Sequence, residues 1–477
     1  MKKRLGLIAI VSLSALLSVS LLTRGHVWWD DFASYIMQAQ SLLRGDTADF
    51  VKRNSFTILQ SSYPVGPVAY PWGFPFLLAP ALAVFGLNAL AMKLVNTLTF
   101  ALFLVSFHRL ARLRLTRGWS LLLTALLAFN PALLLGHDYI LSDIPFLLFS
   151  TLALLLIDLR RSSREPYWDQ LILGLIIFAA YFIRTNGILL LAPLAVTQFE
   201  ALQRDASMKN KWPRILLPHF VFILLFFTAY FLLPRGQESY FSHFSMFTLE
   251  RFLGNVWYYL KLPLAMFDSI PAGAFFSILT LLLFMAGIAG KWRGNLHFIV
   301  YIILTLLLFM LWPETQGLRF IYPVLPLFAL IAAQGALWLA ERLSQPVITK
   351  IVFGIWLVLA LLSFGVSAKS GWVNLQNDRV INGPFDPVSS EMFEFIRGKT
   401  PPDSVIIFFK PRAMRLFTDR DSFLTDRCQD LTQGDYVVIH EKQGSNGQLT
   451  QQALATCGIP AESVFNNKRF TVYKIPP

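Results

Sequence analysis

Apolar residues in this chain come in uninterrupted runs rather than at the three-to-four spacing of a half-buried helix or the alternation of a half-buried strand. LGLIAIVSLSALLSVSLL, WSLLLTALLAFNPALLLG, ILLPHFVFILLFFTAYFLL and IVYIILTLLLFMLW each approach or reach the roughly 20 residues that cross a bilayer as helix. Backbone amides in lipid need partners within the segment, so such runs are expected to be helical. The pattern predicts about eleven spans, near residues 5–22, 88–107, 119–136, 144–159, 170–183, 187–199, 215–233, 274–290, 296–311, 321–340 and 350–368. The first run follows Met-Lys-Lys-Arg, as a signal peptide would. It lacks a small-x-small cleavage site, so we read it as a retained span.

Between the spans the pattern changes. In the first long loop, about residues 24–87, Phe32, Tyr35, Ile36, Ala39, Leu42 and Leu43 recur at helical spacing, which predicts an amphipathic helix in the membrane interface. Trp28 and Trp29 suit the headgroup layer. Pro64, Pro67, Pro71 and Pro75 then break the chain into short pieces before a second apolar helix. The loop 234–273 is rich in aromatic residues and also reads as interfacial. From about Lys369 the periodicity is that of a soluble α/β domain. Helices are expected at 389–398 and 448–456 and strands at 405–409, 436–440 and 469–475. The expected fold is thus an α-helical polytopic membrane protein, residues 1–368, carrying a small C-terminal α/β domain, residues 369–477.

Charge gives these spans a direction. Of 477 residues 55% are hydrophobic and 14% charged, against about 25% charged in soluble proteins. With the N-terminus inside, the cytoplasmic segments hold 18 basic and 6 acidic residues. The rest of the chain before residue 369 holds 10 and 10, and the tail 13 and 12, which together make the net charge of +13. Every inside loop is basic, as the positive-inside rule requires. The basic balance therefore reports orientation, and nucleic acid is not an expected partner. Cytoplasmic loops of about ten residues are too short for a nucleotide-binding domain. The long polar segments and the tail fall outside, where Cys428 and Cys457, the only cysteines, could pair.

Several chemistries find no support. There is no GxGxxG or GxxxxGK loop, no metal-ligand spacing among the seven histidines and no serine in a nucleophile elbow. What remains is a set of charges at the outer ends of spans, where burial is costly and function is the default suspicion. These are Asp30 and Asp31, Asp138 and Asp143, Arg184, and Glu314 with Arg319. Carboxylates and arginines converging on one face can deprotonate a hydroxyl and hold a phosphate. Each also has a structural reading: Asp31 and Asp143 as helix caps, the arginines as snorkelling side chains, and Asp138 and Glu314 as solvated or locally paired groups.

At these positions the sequence resembles the class C glycosyltransferases, which include protein O-mannosyltransferases and aminoarabinose transferases. DDFASYIMQAQSLLRGD resembles their first outer loop, with Asp31 and Tyr35 at the family's spacing. YPWGFPFLLAP resembles the Tyr-Pro-Pro-Gly element, and ILSDIPF the second-loop acidic motif, with Asp143 in the acidic place. LRFIYPVLPL resembles the Arg-Tyr…Pro motif, with Phe320 where Tyr is usual, and EFIRGKTPPDSVIIFFKPRAMRLFTDR resembles the outer domain of bacterial members. Aminoarabinose transferases carry a Lys before the proline element, where this chain has Tyr63. Lys52 or Arg53 are the available substitutes, and the departure argues against aminoarabinose transfer.

The resemblance implies an inverting transferase in a bacterial inner membrane. It would take a sugar from a polyprenyl phosphate and pass it to a glycan, lipid or protein acceptor among membrane lipids. Asp31 would be the general base, with Asp143 and Asp30 beside it, and Arg319 and Arg184 would hold the phosphate, with Lys52 or Arg53 in reserve. Tyr35, Tyr63, His137, Glu314 and Tyr322 are expected in support. No metal site is expected from a motif, although the acids are compatible with a divalent cation. The alternatives are a transporter or flippase of lipid-linked sugar, with the charges lining a path, and a transferase-like scaffold without activity.

Overall fold

The structure is a computed structural model and describes residues 5–63, 65–159, 167–204, 212–236, 247–377, 381–441 and 447–476. α1 (Leu5–Leu21) is followed by α2 (Asp31–Arg44), α3 (Thr47–Gln60) and α4 (Gly73–Phe85). The bundle continues with α5 (Ala89–Arg112), α6 (Arg117–Ala128), α7 (Pro131–Leu135), α8 (Asp143–Leu159), α9 (Tyr167–Ile183), α10 (Leu191–Arg204) and α11 (Trp212–Leu232). It closes with α12 (Leu249–Lys261), α13 (Gly273–Met310), α14 (Leu325–Arg342) and α15 (Val347–Asn377). Asn130 separates α6 from α7 because its side chain caps the Leu133 amide while Pro131 starts the new helix, and the axis bends by 47° there.

Among the described residues five helices are long and apolar enough to cross a membrane, and a sixth span results if the bent α6–α7 pair is counted as one. α1, α4 and α9 are apolar but shorter. Length and composition thus establish a multi-span bundle, while the expected count of eleven goes beyond them. α13 is one long helix in sequence but not in space. Lys291 has non-helical backbone angles in its middle. Ser277, near its start, donates to the carbonyl of Leu264, and Phe309, near its end, stacks on Tyr259. Leu264 and Tyr259 are five residues apart, at most about 18 Å, whereas a straight helix would separate Ser277 from Phe309 by about 48 Å. The helix therefore doubles back at Lys291, and its two halves match the separate spans expected at 274–290 and 296–311.

The surface of the bundle is apolar. Phe220 and Phe231 of α11 are 61% and 78% exposed, a state suited to lipid. Two ion pairs lie inside it. Lys93 of α5 is fully buried and its Nζ lies 2.6 Å from Asp138 Oδ1, which also accepts from the amide and hydroxyl of Thr23. Asp138 is therefore a paired structural group. At the opposite end of the bundle Arg114 pairs with Asp158.

The C-terminal domain consists of α16 (Pro387–Lys399), β1 (Val405–Ile407), α17 (Pro411–Thr418), β2 (Asp421–Phe423), β3 (Tyr436–His440), α18 (Gln451–Thr456), β4 (Glu462–Asn466) and β5 (Phe470–Lys474). Its sheet has the order β2-β1-β3-β5-β4. β1 runs parallel to β2 and β3, and β5 antiparallel to β3 and β4. Cys428 and Cys457 form a disulfide across 29 residues.

This domain docks onto the first loop and changes the expected reading of it. α17 packs on α2, and β2 on α3. Phe32, Ile36 and Ala39 of α2 are fully buried against protein instead of lying in a lipid interface. Trp28 is not in a headgroup layer either: it is 7% exposed and meets Phe408, Phe409, Phe470 and His440 of the domain. The period of α2 records one apolar face, and protein covers it. By contrast α12 exposes Leu249, Leu253, Trp257 and Leu260 along one side, in keeping with the interfacial reading of loop 234–273.

Candidate active site

Three connections meet beneath the C-terminal domain: the one after α1, the one before α8 and the one between α9 and α10. Asp31 is the first residue of α2, where a carboxylate suits the positive helix end. Its Oδ1 accepts a hydrogen bond of 2.7 Å from the Tyr70 hydroxyl. Tyr70 lies 4.6 Å, ring centre to ring centre, from Tyr35, one turn into the same helix. The hydroxyls of Tyr35 and Ser142 share a hydrogen bond of 3.1 Å. Ser142 precedes Asp143, which opens α8 and forms an ion pair with Arg184.

The arrangement closes into a ring. Arg184 lies over the ring of Phe320 at 5.3 Å. Arg319, next along the chain, lies 5.2 Å over Trp29 and donates to Gln316. Trp29 is close to Tyr139 at 4.5 Å and lies two residues before Asp31. His26 braces the two loops: its Nδ1 donates to the carbonyl of Val27, and its Nε2 accepts from the amide of Ile140 at 3.1 Å. Burial lowers its pKa to about 3, so it serves this purpose as the neutral ring. Tyr35 is also buried. Its hydroxyl is pushed up chiefly by burial, with Arg184 opposing and Asp31 and Asp143 reinforcing the shift. Both carboxylates and one arginine thus act on a single hydroxyl.

Asp30 faces away from this ring. It is 8% exposed, accepts from the amide of Ala413 at 3.3 Å and lies 3.9 Å from Arg412. Burial raises its pKa, with Arg412 and Lys410 opposing. It is a contact to the C-terminal domain.

The expected site residues divide accordingly. Asp31, Tyr35, Asp143, Arg184 and Arg319 come together. Tyr322 stands near them, with its hydroxyl donating to the carbonyl of Ala132 at 2.9 Å. Glu314 is exposed and accepts from Gln316 at 3.4 Å. Arg53 is instead held by Asp421 at 2.9 Å and Asp419 at 2.6 Å, and Tyr63 donates to Asp426 at 2.5 Å. Both therefore fasten the first loop to the C-terminal domain. Lys52 is exposed on the same helix as Arg53. His137 is fully buried in the bundle, bonded to Ser18 and edge-on to Phe100, a core position. Tyr70, Ser142 and Arg412 escaped the sequence reading. The first lies in the quoted YPWGFP element and the last in KPRAMRLF, but neither segment has a period that marks one polar residue as buried. Among the described residues no three His, Cys, Asp or Glu side chains converge as metal ligands.

No protein-family model and no curated protein matches the sequence. Solved structures do match in fold. ArnT from Cupriavidus metallidurans bound to undecaprenyl phosphate superposes with a TM-score of 0.64 at 13% identity, over 98% of this chain and 97% of that one. The Archaeoglobus fulgidus oligosaccharyltransferase AglB, in complex with an inhibitory peptide and a dolichol-phosphate, gives 0.51 at 11% identity over 91% and 69%. The oligosaccharyltransferase of the same organism in complex with Zn and sulfate gives 0.58 at 10% identity over 98% and 72%. At these identities the likeness is one of architecture: the chain has the fold of the class C glycosyltransferases.

Proposed function

We propose that this protein is a membrane glycosyltransferase that moves a sugar from a polyprenyl phosphate to an acceptor hydroxyl at the outer face of the membrane, with inversion. The carrying observation is the ring that joins Asp31 through Tyr70 and Tyr35 to Ser142, Asp143 and Arg184. It puts a carboxylate fixed through one oxygen on the same side of the bundle as two arginines.

In this reading Asp31 takes the proton of the acceptor hydroxyl as its oxygen attacks the anomeric carbon. The bond from that carbon to the phosphate oxygen breaks, and the electron pair leaves on the polyprenyl phosphate. Arg184 and Arg319 meet the charge that develops there. Asp143 holds Arg184 in place, so its role is orientation. A phosphate monoester is a weak base, and no strong general acid is required.

Other observations support the setting. The structures of similar fold hold undecaprenyl phosphate and dolichol-phosphate, both polyprenyl-type phosphates. The positive-inside count favours a C-terminal domain outside, and its disulfide suits an oxidising compartment. The test uses the purified full chain in detergent with a panel of synthetic undecaprenyl-phosphate sugars and crude envelope glycan and lipid as acceptors. Release of undecaprenyl phosphate without any membrane gradient is expected for at least one sugar. If every donor stays intact while vesicles containing the protein move it between leaflets, the chain is a flippase.

A further inference from the structure

The C-terminal domain does more than cover the site. We propose that Arg412, delivered by α17, is a positioning residue that fixes the orientation of Asp31 through the Tyr70 hydroxyl. This rests on the reading of Asp31 as the base and adds the domain to the machinery.

Arg412 is fully buried, a costly state for a guanidinium unless its charge is answered. Its Nη2 donates to the carbonyl of Pro67 and its Nη1 to the Tyr70 hydroxyl at 3.5 Å. Its Nε faces Asp30 Oδ2 at 3.9 Å, and neither atom makes a hydrogen bond. A staple between domains would need only the Pro67 bond. The approach to Tyr70 has a different consequence. A tyrosine hydroxyl has one hydrogen, and that hydrogen goes to Asp31. Arg412 therefore meets the oxygen lone pair, and a cation donating there polarises the O–H toward the carboxylate. One oxygen of Asp31 is held in this way. Among the described residues Oδ1 alone is engaged, which leaves Oδ2 for an incoming proton.

The loop is shaped for this approach. Gly66 has φ +106°, and a Cβ there would lie 2.9 Å from the Tyr70 hydroxyl and 3.1 Å from Arg412 Nη1. A side chain at that position would wedge the pair apart. The other charged or titratable groups facing this contact are Asp30, with Lys410 and Arg415 acting on it, and Tyr35, with Arg184 and Asp143 acting on it. All of them stay in place in the variants below.

The test needs no substrate. Infrared difference spectra of the full chain in detergent identify the Asp31 carboxylate stretch as the band lost in Asp31→Asn. Tyr70→Phe removes the donor and Arg412→Gln the cation behind it, so each is expected to shift that band in the same direction, toward a carboxylate with one hydrogen bond fewer. Arg412→Lys keeps the charge and should shift it less. The double variant Arg412→Gln/Tyr70→Phe should shift it no further than the larger single change, because the two act in series. If Arg412→Gln does not fold, Tyr70→Phe and Arg412→Lys carry the test. A band unmoved in folded Tyr70→Phe, or additive shifts in the double variant, overturns the inference. Undecaprenyl phosphate release by the wild type is scored separately. Its absence alongside shifted bands removes the transferase reading and leaves the inference standing.

Discussion

The hydroxyl of Tyr70 donates to Asp31 Oδ1 at 2.7 Å, and this bond ties the start of α2 to a proline-rich loop 39 residues further along the chain. It holds one oxygen of a carboxylate at the start of a helix whose neighbouring side chains, Asp30 and Phe32, are buried. A carboxylate held in this way, if it is the proposed base, has a fixed direction from which to take a proton.

Asp143 and Arg184 form a largely closed pair, with side chains 7% and 21% exposed. Arg184→Gln leaves a buried carboxylate without its cation and should cost about 3 kcal/mol of stability. The paired change Arg184→Gln/Asp143→Asn should recover a substantial part of that loss. Thermal unfolding in detergent, followed by tryptophan fluorescence, reads both. If Arg184 meets the donor phosphate, as proposed, donor KM should rise in both variants.

Trp28 packs the first loop against Phe408, Phe409 and Phe470 of the C-terminal domain. Trp28→Ala should cost about 3–5 kcal/mol and loosen the docking. Limited proteolysis should then release a fragment beginning after α15, at protease levels that leave the wild type whole.

Arg53 pairs with Asp421 and with the exposed Asp419, so Arg53→Ala should weaken docking only slightly. If the donor phosphate is met by Arg184 and Arg319, this substitution leaves donor KM within about twofold, less than the tenfold that 1.4 kcal/mol would give. A rise of tenfold or more would return Arg53 to the phosphate site.

His440 is buried beside Trp28 and Phe470, and burial lowers its pKa from an ordinary value of 6.5 to about 4. Below pH 6.5 the unfolded chain takes up a proton that the folded domain refuses until about pH 4. Unfolded molecules thus bind more protons in this window, and stability rises with pH across it. The domain should therefore lose stability as pH falls from 6.5 toward 4, and His440→Gln should flatten that slope. Chemical denaturation at several pH values measures it.

The bundle was largely legible because lipid enforces one rule, that an apolar run of sufficient length is a helix. The two halves of α13 are separate spans in the sequence because Lys291, Arg293 and their polar neighbours interrupt the apolar run where the backbone turns. In the C-terminal domain β3 was placed at its observed limits, residues 436–440. α17, β2 and β4 were not anticipated. α17 carries Arg412 and Arg415 among its buried residues, and arginines on a short helix read as a solvated face until a partner surface covers them. Trp28 and α2 misled for the same reason: an apolar face shows that something covers it and not what. Asp31, Asp143, Arg184 and Arg319 stand out in the sequence because acids and arginines at span ends are costly to keep. Tyr70 and Ser142, which connect them, are ordinary loop residues whose role depends on distances between segments remote in sequence.

The most direct measurement is the rate of undecaprenyl phosphate release by Asp31→Asn, compared with wild type at equal amounts of folded protein. The side chain stays the same size and keeps an acceptor for Tyr70, while its basicity is lost. A fall of about 10²–10⁴ with donor KM little changed is the predicted result. Release at the wild-type rate would contradict the account and show that Asp31 is not the base.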